Sequence, residues 1–345
     1  MINKKNVFIL LISFGLIFNS CKTSTEEKPD EVPQQPRPTP AYPHNPPQVP
    51  HETPVEIPQD YVKIIGATVT GDDKFIFSAP NDDSDNYKGV FRKDRTVIIR
   101  DFYMCNHEVT QGEYESVMGI NPSNIKGPGN TTLVNYPVEC VNWYDAVVFC
   151  NKKSISENLT PCYKLNGKEN PDEWGEIPDH INRLNTDVWN TISCNWNVNG
   201  YRLPTEIEWE YAALGGKAGC ELANPTDYAG TDNISKLKEY AWYTENSSTT
   251  TRAVKTKKAN SLNLYDMSGN VCEWCWDIFG NIISTGENAT PVTGSLTYST
   301  SVPYRICRGG AYHHGAYLCA LANRLATEPN VRGETCGMRL VRSKL

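Results

Sequence analysis

The feature that most constrains this fold is the C-terminal segment from Tyr304 to Leu345. Its first strand pattern ends at the glycine pair after Arg308, and a second strand is predicted from Cys336 to Val341. The residues between them follow neither strand alternation nor helical spacing. Rigid aromatic and histidine side chains suit a binding surface, and burial in the core is the alternative. This cluster consists of Tyr312, His313, His314, Tyr317, Leu318 and Leu321.

The composition indicates a folded chain that does not bind nucleic acid. Its 345 residues allow one large domain or two, and 8 Trp with 18 Tyr indicate a substantial core. The net charge is -7 with 21% charged residues, so no basic patch is expected. We find neither an internal repeat nor a second domain in the sequence.

The first 20 residues are predicted to be a lipoprotein signal peptide. Lys4 and Lys5 precede an apolar run from Val7 to Phe18, which is too short for a comfortable membrane span. Ser20 then precedes Cys21, which is expected to become the lipidated first residue. The alternative is an ordinary signal peptide with a chance cysteine. Both interpretations predict export.

Residues 21–59 are predicted to form a proline-rich tether, which leaves residues 60–345 for the folded domain. A proline-rich chain favours the extended polyproline II conformation and acts as a semi-rigid spacer. At about 3 Å per residue it reaches on the order of 100 Å from its anchor. That reach favours display away from the membrane, so we expect a lipid-anchored envelope protein on the outer-membrane surface.

Local signals predict several strands and helices in the domain. Strands are expected where β-formers lie between turn residues, and helices where a capping residue precedes an apolar stripe. The capping residues are Thr110 with Glu113, Asn142, and Thr205 with Glu208. The predicted strands are Val62–Ile65, Lys74–Phe77 and Thr96–Met104; the predicted helices are Gln111–Met118, Trp143–Ser154 and Glu206–Leu214.

Several ordered motifs together resemble the formylglycine-generating-enzyme-like, or sulfatase-modifying-factor, family from about Tyr61 to Ser343. The resemblance implies an α+β domain with a C-type-lectin-like fold that is rich in irregular loops. The motifs are Phe102 to Thr110, Gly200 to Gly216, Leu264 to Asp277, Arg308 to Gly310, and Gly337 to Leu340.

Enzymes of this family oxidise a client cysteine with a pair of copper-binding cysteines, and the resemblance places this pair at positions 314 and 319. Here the first position is His314 and the second is Cys319. One imidazole and one thiolate do not make the soft pair that suits Cu(I). We therefore expect no copper and no catalysis, with Cys319 as a structural residue. A copper-dependent cysteine oxidase remains the first rival interpretation.

The resemblance also implies a calcium site made of two carboxylates and two main-chain carbonyls. The matching residues are Asp266, Gly269, Val271 and Glu273. Oxygen ligands in a tight glycine-containing turn suit Ca²⁺. The alternative is a hydrogen-bonded turn that holds no ion.

Other chemistry has weaker support. Cys272 and Cys275 form a single C-x-x-C, which is weak evidence for zinc. Removing Cys21 from the 12 cysteines leaves 11, so at least one lacks an intramolecular disulfide partner. His107 and His180 stand alone in polar stretches and are expected to be solvated. The sequence supports no Ser-His-Asp or Cys-His nucleophile arrangement.

The C-terminal segment has a framework of fixed landmarks: Arg308 to Gly310, Cys319, Asn323, Arg324, Pro329, Arg332 and Gly337 to Arg339. This framework further resembles that of proteins diversified by retroelements, which carry a variable region at the end of this fold. Here that region spans about residues 308–336. The resemblance implies binding of a protein or other macromolecular ligand on another cell or host, with a non-variable envelope structural protein as a second rival. The expected binding residues are Tyr312, His313, His314, Tyr317, Leu318, Leu321, Leu325, Thr327 and, on a neighbouring element, Trp276.

Overall fold

The computed structural model describes most of the predicted domain. The chain divides into residues 1–55 and 56–345, and every described residue belongs to the second unit. The predicted signal peptide, Cys21 and nearly all of the tether lie outside the described residues. No helix in the described ranges is long and apolar enough to cross a membrane. Those ranges are residues 58–77, 88–93, 95–181, 186–280 and 303–344.

The strands of the described residues are short and are joined by long irregular connections. In chain order they are β1 (Tyr61–Ile64), β2 (Thr68–Thr70), β3 (Thr96–Ile98), β4 (Phe102–Cys105), β5 (Tyr163–Lys164), β6 (Ser193–Cys194), β7 (Tyr201–Arg202), β8 (Cys272–Ile278), β9 (Arg305–Arg308), β10 (Leu325–Thr327), β11 (Cys336–Gly337) and β12 (Val341–Ser343). They form two four-stranded sheets and two ribbons.

The C-terminal segment contributes strands to both large sheets. One sheet has the order β1-β4-β12-β7, in which β12 runs antiparallel to β4 and β7. The other has the order β10-β9-β8-β11, in which β11 pairs parallel to β8 and the other pairs are antiparallel. The region predicted to be variable therefore lies between strands of the second sheet and is followed by a central strand of the first.

The three predicted longer helices are confirmed, because their start signals are local. Thr110, Asn142 and Thr205 each cap a helix in a complete capping box. Gly119 ends the first helix in the left-handed region with φ 75°. The helices are α1 (Gln111–Met118), α2 (Trp143–Ser156), α3 (Thr186–Trp189), α4 (Glu206–Ala213) and α5 (Gly216–Cys220). Short 3₁₀ helices span Asp73–Phe75, Pro128–Asn130, Pro171–Glu173, Ile234–Glu239 and Ala316–Cys319.

The prediction of a strand at Lys74–Phe77 is wrong. The Asp72 side chain accepts a hydrogen bond from the Asp73 amide and starts a 3₁₀ helix. The Lys74 ammonium donates to the carbonyls of Cys220 and Leu222 at 2.8 and 2.7 Å. These contacts with a distant segment outweigh the strand propensity of the two phenylalanines nearby.

Two predicted strands are each divided in two. Thr96–Met104 breaks between β3 and β4, where a side chain on Gly66 would collide with the Ile99 carbonyl and the Gly66 amide donates to Asp101. Cys336–Val341 breaks between β11 and β12, because its two halves pair in different sheets. The carbonyl of the intervening Met338 accepts a hydrogen bond from the Val109 amide instead.

Strand β8 separates two parts of the core. Cys272, Trp274 and Trp276 pack into one hydrophobic cluster with α2, whereas Cys275 packs into a second cluster with α4. This alternation follows from side chains pointing to opposite faces of a strand. The strand is buried on both faces and forms a rigid base beside the residues predicted to bind ligand.

Candidate functional site

The segment predicted to carry the binding residues is anchored at both ends on α4. Arg308 forms a buried ion pair with Glu210, and Arg324 forms one with Glu206. Arg308 also donates to the Leu321 carbonyl at 2.8 Å. Burial opposes ionisation of Glu206, but the two arginines outweigh it and hold the pKa of Glu206 below its usual value. The anchors use none of the side chains predicted to bind.

The glycine pair after Arg308 turns the chain sharply out of β9. Gly309 and Gly310 have φ of 89° and 72°, in the region that favours glycine. A Cβ at Gly310 would lie 2.7 Å from the Leu318 carbonyl oxygen and 2.8 Å from Cys319 Sγ. Only glycine therefore allows the segment to fold back so closely on itself.

Four of the predicted binding residues lie at or near the surface and close together along the chain. His313 and Tyr317 are exposed, with Tyr317 at 45%, and His314 and Leu318 are partly buried. Tyr317 and Leu318 lie on the 3₁₀ helix over Ala316–Cys319, in which Ala316 and Cys319 are buried, and His313 and His314 lie on the turn just before it. We call His313, His314, Tyr317 and Leu318 the 313–318 face.

Three of the predicted binding residues are core residues, which corrects the expectation that they lie on the surface. Tyr312 is 4% exposed, Leu321 2% and Trp276 7%. The Tyr312 carbonyl accepts a bond from Ser247 Oγ at 2.7 Å. Trp276 stacks on the Tyr163 ring with centroids 5.0 Å apart. These residues support the segment from below.

Leu325 and Thr327 are set apart from the 313–318 face. They lie on β10, the edge strand of the second sheet, opposite Cys307 and Arg305 of β9. Leu325 is partly buried and packs against the core cluster that includes Trp276. The two residues border the segment without joining its exposed turn.

A fixed loop over residues 244–249 holds the turn from the side. The Thr244 amide donates to the His314 carbonyl at 3.0 Å. Ser248 and Thr249 are exposed and both have φ of 58°. No local signal connects this loop with the C-terminal segment, because the contact joins residues far apart in the chain.

The two histidines of the face have different surroundings. Their rings meet edge to face with centroids 5.0 Å apart. Burial, and then the neighbouring His313, lower the pKa of His314 to about 4. His314 is therefore neutral near pH 7 and acts as a hydrogen-bonding aromatic surface, and its Nδ1 lies 3.9 Å from Cys272 Sγ.

The residues at the two copper positions do not fit the family's copper site. Cys319 is fully buried, and burial raises the pKa of its thiol to about 12. Its partner position carries His314 in place of a second thiol. Across the described ranges, no group of three or more His, Cys, Asp or Glu side chains is placed to hold a metal.

Of the four residues matched to calcium, Glu273 does not fit the ion in this arrangement. Both carboxylate oxygens of Glu273 accept bonds from Arg339 at 2.7 to 3.0 Å, and one also accepts from Trp209 Nε1 at 2.7 Å. Asp266 accepts one bond from the Lys255 amide, and its Oδ1 is buried without a partner. A guanidinium therefore neutralises the carboxylate that the ion would need.

Two buried residues of this region were misjudged or missed from the sequence. His107 is buried, not solvated, because it lies between β4 and α1 with Nδ1 2.8 Å from the Glu108 carbonyl; His180 is exposed as expected. Glu108 accepts bonds from Asn270 Nδ2 and the Val271 amide at 2.6 and 3.0 Å. Burial, then Asp266 and Glu273, raise the pKa of Glu108.

Comparison with known proteins agrees with this architecture. A solved structure, Treponema denticola variable protein 1, is 33% identical with a TM-score of 0.64 and covers 82% of this chain and 95% of its own. The Chaperone protein LppX of Paenibacillus barcinonensis is 37% identical over 268 residues, 73% of this chain and 83% of that protein. The Formylglycine-generating enzyme of Streptomyces coelicolor is 30% identical over 165 residues, 44% of this chain and 49% of the enzyme.

The fold and these matches define a C-type-lectin-like domain of the formylglycine-generating-enzyme type, as predicted. Residues 48–344 match the Sulfatase-modifying factor enzyme 1-like domain, and the chain belongs to this family. Its predicted resemblance to variable proteins is also confirmed. In general terms the similarity to a variable protein fits a binding protein that does not catalyse a reaction, whereas the Streptomyces coelicolor relative is an enzyme.

Proposed function

We propose that this protein is a surface-displayed lipoprotein that binds a macromolecular ligand through the 313–318 face, without catalysis. The exposure of His313 and Tyr317 on a turn anchored at both ends carries this proposal. Aromatic side chains on a fixed turn give large contact area with few torsions to freeze on binding. Leu325 and Thr327 extend the contact along β10.

The ligand that suits this face best is a protein on another cell or host. Aromatic residues at the centre of a contact dominate protein recognition. The name of the Paenibacillus relative, a chaperone, also favours a protein ligand. The net charge of -7 disfavours nucleic acid.

The absence of catalysis is supported by the residues that replace the family's reactive pair. A nucleophilic or copper-binding cysteine must lose its proton easily. Cys319 is buried with a raised pKa, and His314 cannot supply a second thiolate. The thiol-oxidising rival therefore lacks the first member of its reaction centre, and the second is a buried thiol that loses its proton with difficulty.

The display part of the proposal rests on the N-terminal sequence. An acylated Cys21 would anchor the chain, and the proline-rich residues after it would hold the domain away from the membrane. This arrangement would place the 313–318 face on the outer-membrane surface, within reach of another cell. The structural rival, an envelope protein with no ligand, shares the anchor but requires no exposed turn.

The test compares binding by two variants with equal numbers of alanine substitutions. The face variant replaces His313, Tyr317 and Leu318, and the control replaces the exposed Ile181, Leu222 and Ile234. The lipid-free domain on beads is incubated with intact bacterial and host cells and with purified surface proteins. We expect the parent and the control to bind the same target and the face variant to lose at least tenfold in affinity. Equal binding by the face variant, or no binding by the parent, would overturn the proposal.

A further inference from the structure

Three buried thiols lie together beneath the 313–318 face. Cys272 on β8, Cys307 on β9 and Cys336 on β11 belong to the same core cluster and are all free thiols. Cys307 immediately precedes the segment that carries the face, and Cys336 follows it. The thiols therefore mark both ends of the segment and the strand between them.

The sheet geometry distinguishes the two cysteine pairs that could form a disulfide with Cys336. Cys336 and Cys272 are direct partners in the parallel pairing of β11 with β8. Neighbouring strands lie about 4.8 Å apart, within the roughly 4.4–6.8 Å that disulfides span between Cα atoms. Cys307 lies on the far side of β8 from Cys336. Two strand spacings, about 9.6 Å between the Cα atoms, exceed that range, although the two thiols lie in hydrogen-bond contact.

Cys307 instead acts on Cys336 as a hydrogen-bond donor. Its thiol donates to the Cys336 sulfur, and this bond outweighs burial and lowers the pKa of Cys336. Attack on a disulfide requires a thiolate, and the contact with Cys307 favours that form at Cys336.

We propose that Cys272 and Cys336 form a disulfide when the protein meets a disulfide oxidant, as exported proteins do. The Cys336 thiolate attacks one sulfur of the oxidant, which forms a mixed disulfide and releases one thiolate. The Cys272 thiolate then attacks the Cys336 sulfur and releases the second. Two protein thiols lose two electrons and two protons, and the oxidant's disulfide gains them as two thiols.

The bond would connect the end of the variable segment to the strand beneath the face. The Cys272 amide already donates to the Thr335 carbonyl at 2.7 Å. Cys272 Sγ lies 3.9 Å from His314 Nδ1, and in the disulfide it has no proton to share with that ring. Oxidation of Cys272 would therefore change the surroundings of the His314 ring. This inference rests on the export that is part of the proposed function, but not on the proposed ligand binding.

The test refolds the mature chain from urea in a glutathione redox buffer, so that glutathione reaches the cysteines before they are buried. Alkylation, digestion and mass spectrometry should then recover a Cys272–Cys336 link. Cys307→Ala should still form this link, more slowly, whereas Cys336→Ser should not. The His314 ring signals in NMR spectra should shift between reduced and oxidised protein. A Cys307–Cys336 link, or three alkylated thiols after equilibration in protein that has refolded, would overturn the proposal.

Discussion

Arg324 binds both carboxylate oxygens of Glu206 through one edge of its guanidinium: Nε lies 2.6 Å from Oε1 and Nη2 lies 2.8 Å from Oε2. Both side chains are buried. Since Glu206 begins α4 and Arg324 follows the exposed turn, the pair fixes one end of the segment whatever side chains the turn displays. Arg308 with Glu210 does the same at the other end.

Removing the arginine of this pair should destabilise the whole domain. Arg324→Ala leaves the Glu206 charge buried, and breaking a buried pair costs about 3–5 kcal/mol. Urea unfolding followed by fluorescence measures the loss. The control, Lys258→Ala, breaks an exposed pair with Glu239 and should leave the midpoint almost unchanged. Equal midpoints for the two variants would show that Arg324 does not anchor the segment.

Asp266→Asn should stabilise the protein in a pH-dependent way. Burial raises the pKa of Asp266 to about 6, so its protonated form favours the folded state. Below the unfolded-state pKa of about 4, Asp266 is protonated in both the folded and the unfolded state, so its burial costs no free energy of ionisation. The wild type loses stability as the pH rises from about 4 to 6, because the unfolded state then releases the proton that the folded state retains. A pKa shift of about two units corresponds to at most about 3 kcal/mol in the free energy of unfolding.

Unfolding of wild type and Asp266→Asn at pH 4, 6 and 8 measures this difference. The variant should gain stability at pH 8 and show little difference at pH 4. A variant that is less stable at pH 8 would contradict the account, because it would mean that the ionised Asp266 carboxylate has a favourable partner. Repeating the series with calcium and with a chelator would show whether the partner is that ion.

The protein should not form formylglycine. With His314 and the buried Cys319 at the two reactive positions, a peptide carrying the client cysteine should remain unoxidised in the presence of copper and oxygen. Mass spectrometry of the peptide detects the aldehyde product, and the Streptomyces coelicolor enzyme serves as the positive control. Product formed at a rate comparable with the control would restore the enzyme interpretation.

Cys21→Ala should release the protein from membranes. The expectation follows from the apolar run and the small residue before this cysteine. Cell fractionation and detergent-phase partitioning measure the anchor, with Cys220→Ala as a control for loss of a thiol elsewhere. If the Cys21→Ala variant still partitions with lipoproteins, the anchor lies in another part of the chain.

Local signals predicted the features of the fold that depend on neighbouring residues. The capping residues Thr110, Asn142 and Thr205 identified three helix starts, because a capping box is complete within four residues. The glycines after Arg308 likewise marked the turn. The strand at Lys74–Phe77 failed, because the Lys74 side chain bonds a segment nearly 150 residues away.

The candidate site was only partly predictable for the same reason. Tyr312 and His313 are neighbours of similar chemistry, yet the first is buried under the 244–249 loop and the second is exposed. That loop, and α4 with Glu206, contact the segment across long stretches of sequence. The residue pattern within the segment does not depend on those contacts. The sequence therefore predicted where the face lies, but not which of its residues are exposed and which are buried.

The most direct test of the central claim is a comparison of two libraries displayed on yeast. One randomises His313, His314, Tyr317 and Leu318; the other randomises Tyr312, Leu321, Ala316 and Ala320. The fraction of each library that resists protease measures how many members fold. We predict that most members of the first library resist and few of the second do. Surface changes shift stability by about 0.5 kcal/mol, whereas truncating Tyr312 or Leu321 costs roughly 2–5 kcal/mol and enlarging the buried Ala316 or Ala320 costs about 1–3 kcal/mol. Equal losses in both libraries would contradict the claim that the 313–318 face can change while the fold stays the same.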